Sequence, residues 1–298
     1  VSHLNIDAHI SLSHHIVMNT QTPLTLVLGS TGKTGSRVAA ELRQRGMRIR
    51  TAARSNADVS FDWNQRLSYA PALDGVARIY LVAPTLRLDF AGDVSVFLDE
   101  AEAAGVQHIT FLSAYGMEQA PDELATRSVE LNLLRRTALD HTILRPAWFM
   151  QNFSETFLKP VDGAIFVPTG EGREAFIDAQ DIAAVAAKTL ADPHSHAGAA
   201  YNLTGPEALS VANAAAILSE ETGLQIAHVD LDQEVWIAHA LSSGIPAEYG
   251  AVLRQLTTTI ACGHGSLPNG TVQQITGIPP RTFRHFAHQN ASTWKVPT

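Results

Sequence analysis

The sequence predicts an α/β protein: a Rossmann-type, doubly wound parallel sheet with a smaller carboxyl-terminal α/β lobe. Three observations predict it. Leu24–Leu28 is a short apolar run ending at Gly29, the pattern of a strand buried on both faces. Glycines stand at positions 29, 32 and 35; Val38, Ala39 and Leu42 then share one helical face, and Gly46 closes the helix. From Met47 to Pro146 further apolar runs alternate with helical patterns, giving five or six strands joined by right-handed crossovers.

In chain order, the second strand begins near Met47 and closes on Arg54. Residues 59–63 read as a short third strand carrying Asp62 and Trp63. Residues 77–82 are a fourth, broken by Ala83-Pro84-Thr85. A helix over 90–104 stops at Gly105, and residues 106–112 form a fifth strand that delivers Ser113, Ala114 and Tyr115 to the sheet's carboxyl edge, where open α/β folds bind ligands. Pro121-Asp122 opens the next helix, with Asp122 its expected cap and Leu124, Leu131, Leu134 and Ala138 its expected buried face. Residues 141–145 are the sixth strand, ended by Pro146.

Strict alternation stops after Trp148. Residues 152–160 bridge to a strand over 164–167; Asp178 caps an alanine-rich helix; Ser210 caps a helix that ends at Gly223; and a strand follows over 225–229. The expected division is a leader over 1–22, a cofactor-binding Rossmann domain over 23–155 and a smaller substrate lobe over 156–298, with the helix near 179–191 a candidate to return to the sheet.

Composition narrows the function classes. The 298 residues are 45% apolar, enough for a core. A net charge of -8 argues against a phosphate-backbone groove, so no nucleic acid partner is expected. The single cysteine, Cys262, excludes an internal disulfide and suits a reducing, cytoplasmic compartment. No apolar run reaches the ~20 residues that span a bilayer, so no membrane partner is expected. The leader carries His3, His9, His14 and His15 at irregular spacing, with no signal-peptide pattern and no metal-site pattern, and is expected to be disordered. Met18 is the expected start of the natural chain, which N-terminal mass analysis would check. Cys262 and His264 lack a third partner, so no nucleophile or metal site is read there.

The glycine segment carries the chemistry. Glycine lets a diphosphate approach the main chain, and the first-turn amides of the helix, with its dipole, favour the anion. Gly29, Ser30, Thr31, Gly32, Lys33, Thr34 and Gly35 are therefore candidate dinucleotide-binding residues. Gly32-Lys33-Thr34 also imitates a nucleoside-triphosphate loop, but that loop needs a glycine where Val27 stands. An acid about 20 residues past the glycines selects a free ribose, and an arginine suits a 2'-phosphate. Arg54 stands nineteen residues past Gly35, which favours NADP(H); alternatively it continues the solvated basic face of Arg43, Arg45, Arg48 and Arg50. Asp62 is either an acceptor for the adenine amino group or a plain loop carboxylate.

Together with Leu144-Arg145-Pro146-Ala-Trp148-Phe149-Met-Gln-Asn152 and Tyr201-Asn-Leu-Thr-Gly205-Pro206-Glu207, these motifs resemble the NmrA-like branch of the atypical short-chain dehydrogenase/reductases. The resemblance runs from Leu24 to the end. Leu28-Gly29-x-x-Gly-Lys33-Thr, Asp62-Trp63 and Thr276-Gly-x-x-Pro280-x-x-Phe283-x-x-Phe286-Ala resemble most the festuclavine dehydrogenase-like group of ergot alkaloid biosynthesis. The resemblance implies an active site between the two lobes. It implies that Gly29 to Gly35 and Arg54 hold NADP, that Ala83, Pro84 and Pro146 border the nicotinamide, and that Trp148, Phe149 and Asn152 line the substrate pocket. Lobe-to-lobe packing is the other reading of the two aromatics.

Classical members use Tyr-x-x-x-Lys to shuttle a proton. No such pair exists here, and the corresponding positions fall near Glu123 and Arg127. An iminium needs hydride only, and the phenolate formed from a quinone can take its proton from water. An NADPH-dependent reductase of such an acceptor is therefore expected, with Tyr115 and Ser113 as candidate catalytic residues that orient it. The alternative is a non-catalytic NADP(H)-binding redox sensor of the NmrA type. A monomer or homodimer is expected.

Overall fold

A computed structural model of the chain describes residues 22–295, so the expected leader, its histidines and Met18 lie outside the described residues apart from Thr22. The first half runs β1 (Leu24–Leu28), α1 (Gly35–Gln44), β2 (Ile49–Ala53), β3 (Val59–Ser60), α2 (Tyr69–Leu73), β4 (Val76–Val82), α3 (Ala91–Ala103), β5 (His108–Leu112), α4 (Ala125–Arg135) and β6 (Asp140–Pro146). The second runs α5 (Asn152–Glu155), β7 (Ala164–Phe166), β8 (Arg173–Glu174), α6 (Ala179–Ala191), β9 (Ala199–Leu203), β10 (Leu209–Ser210), α7 (Val211–Thr222), β11 (Ala227–Val229), α8 (Gln233–Ser242), α9 (Gly250–Ala261), α10 (Thr271–Thr276) and α11 (Phe283–Gln289).

The main sheet has seven parallel strands in the order β3-β2-β1-β4-β5-β6-β9. Strand order reverses between β1 and β4, so the crevice at their carboxyl ends is the ligand-binding position of a doubly wound sheet. On one face, Phe97 and Val94 of α3 and Val129 and Leu133 of α4 pack against Leu26, Ile79 and Phe111. On the other, Val38 and Leu42 of α1 meet Ile182, Val185 and Ala186 of α6 over Val27, Tyr80 and Leu144. Val27 lies buried inside β1, which leaves no room for a nucleoside-triphosphate loop. A third core joins Phe153, Phe176, Leu218, Trp236 and Phe283, with β8 paired to β10 and β7 to β11 at its edges. No helix among the described residues is long and apolar enough to cross a membrane.

Local capping behaves as the sequence dictates. The Asp178 carboxylate accepts from Gln180 N, and Ser210 forms a reciprocal capping box with Asn213. Gly223 ends α7 at φ +75°, a conformation that favours glycine.

Three expectations are corrected. The third strand is only Val59–Ser60. Helix α4 begins at Ala125 with no side-chain cap, and Asp122 instead lies 3.7 Å from Arg127 Nε. Its buried face is Ala125, Val129, Glu130 and Leu133, whereas Leu124, Leu134 and Ala138 are exposed. A leucine stripe fits helical spacing on either side of a helix; here a buried, fully paired glutamate decides the side, and hydrophobic periodicity cannot read it. Finally, Ala199–Leu203, where no strand was expected, pairs with β6 and extends the sheet.

Candidate cofactor and substrate cleft

Gly29 leaves β1 at φ +61°, and Gly32 N donates to Gly29 O at 2.8 Å. A Cβ on Gly35 would lie 2.2 Å from that same oxygen, so only glycine lets α1 start this close to the strand. No side chain caps α1; Ser36 N donates to Gly32 O at 3.2 Å and Val38 N to Thr34 O at 2.8 Å, and the Gly35 and Arg37 amides remain for an anion. Ser30 is spent on the sheet, both its N and its Oγ donating to Ala52 O at 3.2 and 3.3 Å. Thr34 is buried, while Thr31 and Gly32 are exposed at the tip.

Lys33 turns away from the loop. Its Nζ donates to Asn152 Oδ1 at 3.1 Å and to Thr156 Oγ1 at 2.9 Å, and Arg37 on the next turn lies 3.7 Å from Glu155. Burial, partly offset by Glu155, pushes the Lys33 ammonium down from its usual range. Two expected site residues, Lys33 and Asn152, are thus joined in a bridge between the glycine loop and α5.

Arg54 follows β2 directly and is exposed. Its loop is closed by Asp58, whose Oδ2 accepts from Thr51 N and Oγ1, both at 2.8 Å; these bonds hold the Asp58 carboxyl below its usual range. Asp62 Oδ1 accepts from Asn64 N at 2.9 Å, so one oxygen is used in its own turn. Ala83 and Pro84 leave β4 half-buried, and Pro146 ends β6 with its carbonyl accepting from Tyr115 N at 3.0 Å. All of these lie at carboxyl ends of strands in one sheet.

The two catalytic candidates differ. Ser113 Oγ donates to Glu130 Oε1 at 2.5 Å, and Glu130 is fully buried. Arg145 grips the same carboxylate through Nε and Nη2 at 2.8 and 2.7 Å, and Arg127 adds Nη1 at 2.8 Å. Burial raises the Glu130 carboxyl, but the bonds from Arg145, Ser113 and Arg127 outweigh it and hold it below the usual range. Arg145 also lies 3.2 Å from Glu118, which accepts from Asn202 Nδ2 at 3.2 Å. Ser113 is therefore locked. Tyr115 makes no side-chain hydrogen bond among the described residues, and burial, then the charges of Glu118 and Glu174, push its phenol up. It can donate a hydrogen bond; it is not primed as a base. Glu123 is exposed ahead of α4, and Arg127 is spent on Glu130.

Trp148 and Phe149 are half-buried and anchored through the main chain: Ile177 N donates to Trp148 O at 2.9 Å, and Phe149 forms a β-bridge with Ile177. Trp148 packs on the Phe153 core and Phe149 on the α1–α6 core, so both seam the two halves.

One group escaped the sequence reading. Glu174 is 2% exposed, and its Oε1 accepts from Trp148 N at 3.3 Å. Burial pushes its carboxyl up to about 7. A Cβ on Gly265 would lie 2.2 Å from Glu174 Oε2, so the glycine of Gly263-His264-Gly265 makes room for this carboxyl. Nothing in Arg173-Glu174 marks it; the one signal was a glycine-rich turn with no other role. Cys262 and His264 themselves are exposed.

Residues 29–193 match the family described as NAD(P)H-binding. The chain is 36% identical over 286 residues to an uncharacterized oxidoreductase, YesF, of Bacillus subtilis, covering 93% of this chain and 98% of that protein. It is 33% identical over 289 residues to festuclavine synthase II of Penicillium roqueforti, covering 90% of this chain and 99% of that protein, as the expected resemblance requires. It is also similar in fold to an NADPH-dependent quinone oxidoreductase of Escherichia coli solved with NADPH, with a TM-score of 0.73 at 22% identity over 89% of this chain and 99% of that one.

Proposed function

We propose, from the premise that the chain belongs to the NAD(P)H-binding family and is an NAD(P)H-dependent oxidoreductase, that it reduces a small organic acceptor of the quinone or iminium type with NADPH and without a Tyr-x-x-x-Lys pair. The residues present fit such a cofactor. Gly29, Gly32, Gly35 and the uncapped start of α1 would hold the diphosphate, Arg54 the 2'-phosphate, and Ala83, Pro84 and Pro146 would border the nicotinamide. When bound, the cofactor supplies a hydride.

The observation that carries the acceptor class is the locked network of Ser113, Glu130, Arg127 and Arg145. The helix that carries the acid-base pair in classical members here carries a carboxylate saturated by two guanidiniums, which has no proton to move near neutrality. Tyr115 remains as a neutral donor that can orient an acceptor oxygen or nitrogen. Catalysis then rests mainly on positioning, which supplies up to roughly 7 to 11 kcal/mol in ideal cases.

Fluorescence titration with NADPH and NADH, followed by NADPH absorbance decay with quinones, iminium compounds and aldehydes, tests this. Tighter NADPH binding and acceptor-dependent oxidation with quinones or iminium compounds, but not simple aldehydes, are expected. Binding without turnover on any acceptor would favour the redox-sensor reading; no binding of either nucleotide would sink both.

A further inference from the structure

The glycine loop and the helix it opens meet the second half of the chain along one polar stripe. Lys33, Arg37 and Glu41 stand four residues apart, so they share a side of α1 and of the turn that leads into it. All three reach across. Lys33 Nζ donates to Asn152 Oδ1 at 3.1 Å and to Thr156 Oγ1 at 2.9 Å. Arg37 Nη1 donates to Lys33 O at 2.5 Å, while its Nη2 lies 3.7 Å from Glu155 Oε1. Glu41 Oε1 accepts from Gln180 Nε2 at 2.6 Å, at the start of α6.

α5 needs such outside support. It is 4 residues long, barely one turn, and a helix that short does not hold itself in water. Its inner side is fixed: Phe153 is fully buried against Phe176 and Phe283, and Trp294 Nε1 donates to Phe153 O at 2.9 Å. Gln151, just before it, donates to Asp178 Oδ1 and accepts from Ala179 N, each at 2.8 Å. Its outer side presents Asn152 and Thr156, which meet one lysine. Thr156 Oγ1 also donates to Asn152 Oδ1 at 3.1 Å, so ammonium, hydroxyl and amide close a ring of three bonds. Glu155 lies with Arg37, and both bonds of Lys33 go to neutral groups.

The two ends of this ring belong to different parts of the cleft. Lys33 stands between Gly32 and Gly35 in the cofactor loop, and Asn152 stands three residues past Phe149, on the segment that seams the two halves. We infer that Lys33 is a positioning residue for the acceptor: it is not a ligand of the diphosphate but holds Asn152 and α5 in place, so that the loop which carries the cofactor also sets the wall that meets the acceptor. This rests on the reductase reading above, with Asn152 at the acceptor pocket. The glycines and the free amides of α1 take the diphosphate without the lysine, whose donors are turned to α5.

Lys33→Met keeps the aliphatic stem and removes the donors, and Lys33→Arg restores them. In Lys33→Met the acceptor KM should rise on the order of tenfold at nearly unchanged kcat, as when a charged hydrogen bond that supports binding is lost. NADPH affinity in a fluorescence titration should fall by less than about threefold, the effect of one screened charge. Lys33→Arg should recover most of the KM. Asn152→Ala breaks the ring from its other end, and Lys33→Met combined with it should be no worse than Asn152→Ala alone. The apoprotein gives a readout without turnover: amide hydrogen exchange over residues 154–158 should be on the order of tenfold faster in Lys33→Met than in wild type. NADPH affinity lowered tenfold or more with the acceptor KM unchanged would make Lys33 a diphosphate ligand and overturn the inference. Additive effects in the double variant, or exchange over 154–158 that matches wild type, overturn it too, and each of these outcomes leaves the reductase reading intact. Wild type that turns over no acceptor sinks that reading, and the acceptor role of Lys33 with it, even where the exchange difference is found.

Discussion

The carbonyl oxygen of Gly29 occupies the space where a side chain on Gly35 would begin, with a hypothetical Cβ on Gly35 only 2.2 Å away. The contact brings the start of α1 against the end of β1 and fixes where the uncapped amides point. Gly35→Ala must therefore push α1 off the strand. A loss of about 1 to 3 kcal/mol in urea unfolding is expected, as for overpacked cores, together with loss of NADPH binding in a fluorescence titration. Wild-type affinity in a folded Gly35→Ala variant would refute the placement of the diphosphate here.

Arg54 is exposed at the end of β2, on a loop shaped by the Asp58–Thr51 bonds rather than by Arg54 itself. Arg54→Asp should thus leave the fold intact while removing a charge-assisted bond worth about 1.5 to 3 kcal/mol. The ratio of NADPH to NADH affinity should fall on the order of tenfold or more and, with a carboxylate free for the ribose hydroxyls, invert. An unchanged ratio would make Arg54 part of a solvated basic face.

The glycine turn and the place of Arg54 at a strand end were legible in the sequence because their demands are local. Glycines at fixed spacing, an arginine at a strand end, and the caps Asp178 and Ser210 each act within a few residues of where they stand. What stayed hidden depends on distant partners. Glu130 reads as one charge on a helix until Arg145 and Ser113 converge on it, and its burial placed the apolar face of α4 where leucine spacing did not. Ala199–Leu203 becomes a strand by pairing with β6, more than fifty residues earlier. Glu174 sits on a two-residue strand and owes its character to Trp148 and Gly265.

Glu130 also makes a stability prediction. Glu130→Ala leaves Arg145 with Glu118 alone and Arg127 with the exposed Asp122 alone, and breaking a buried pair in this way costs up to about 3 to 5 kcal/mol. Thermal unfolding should show it. Glu130→Gln, which retains hydrogen-bond capacity, should lose less. Since the Glu130 carboxyl is held below its usual range, its contribution is present above the unfolded pKa and lost as pH falls through the folded one. If Glu130→Ala melts like wild type, the network is not what holds α4 to the sheet.

The opposite end of the sheet carries a second acid-sensitive group, His108 at the start of β5. It is 1% exposed; its Nε2 lies 3.2 Å from Thr142 Oγ1, and its Nδ1 has no hydrogen-bond partner among the described residues. Burial, then the neighbouring positive groups His141, Arg78, His196 and His194, push its imidazole down from 6.5 to about 4. Between those values the unfolded chain binds a proton that the folded chain refuses, so stability is full above pH 6.5 and falls as pH drops towards 4. The loss at the lower end is on the order of 3 kcal/mol, at 1.36 kcal/mol per pKa unit. Glu174 works in the reverse sense over an overlapping window, so the wild-type profile is a partial cancellation. His108→Gln removes one slope and leaves the other, and urea unfolding between pH 4 and 7 should show stability that no longer falls as steeply on acidification. Identical slopes in wild type and His108→Gln would mean that the buried imidazole accepts its proton in place, and the cost assigned to it would be wrong.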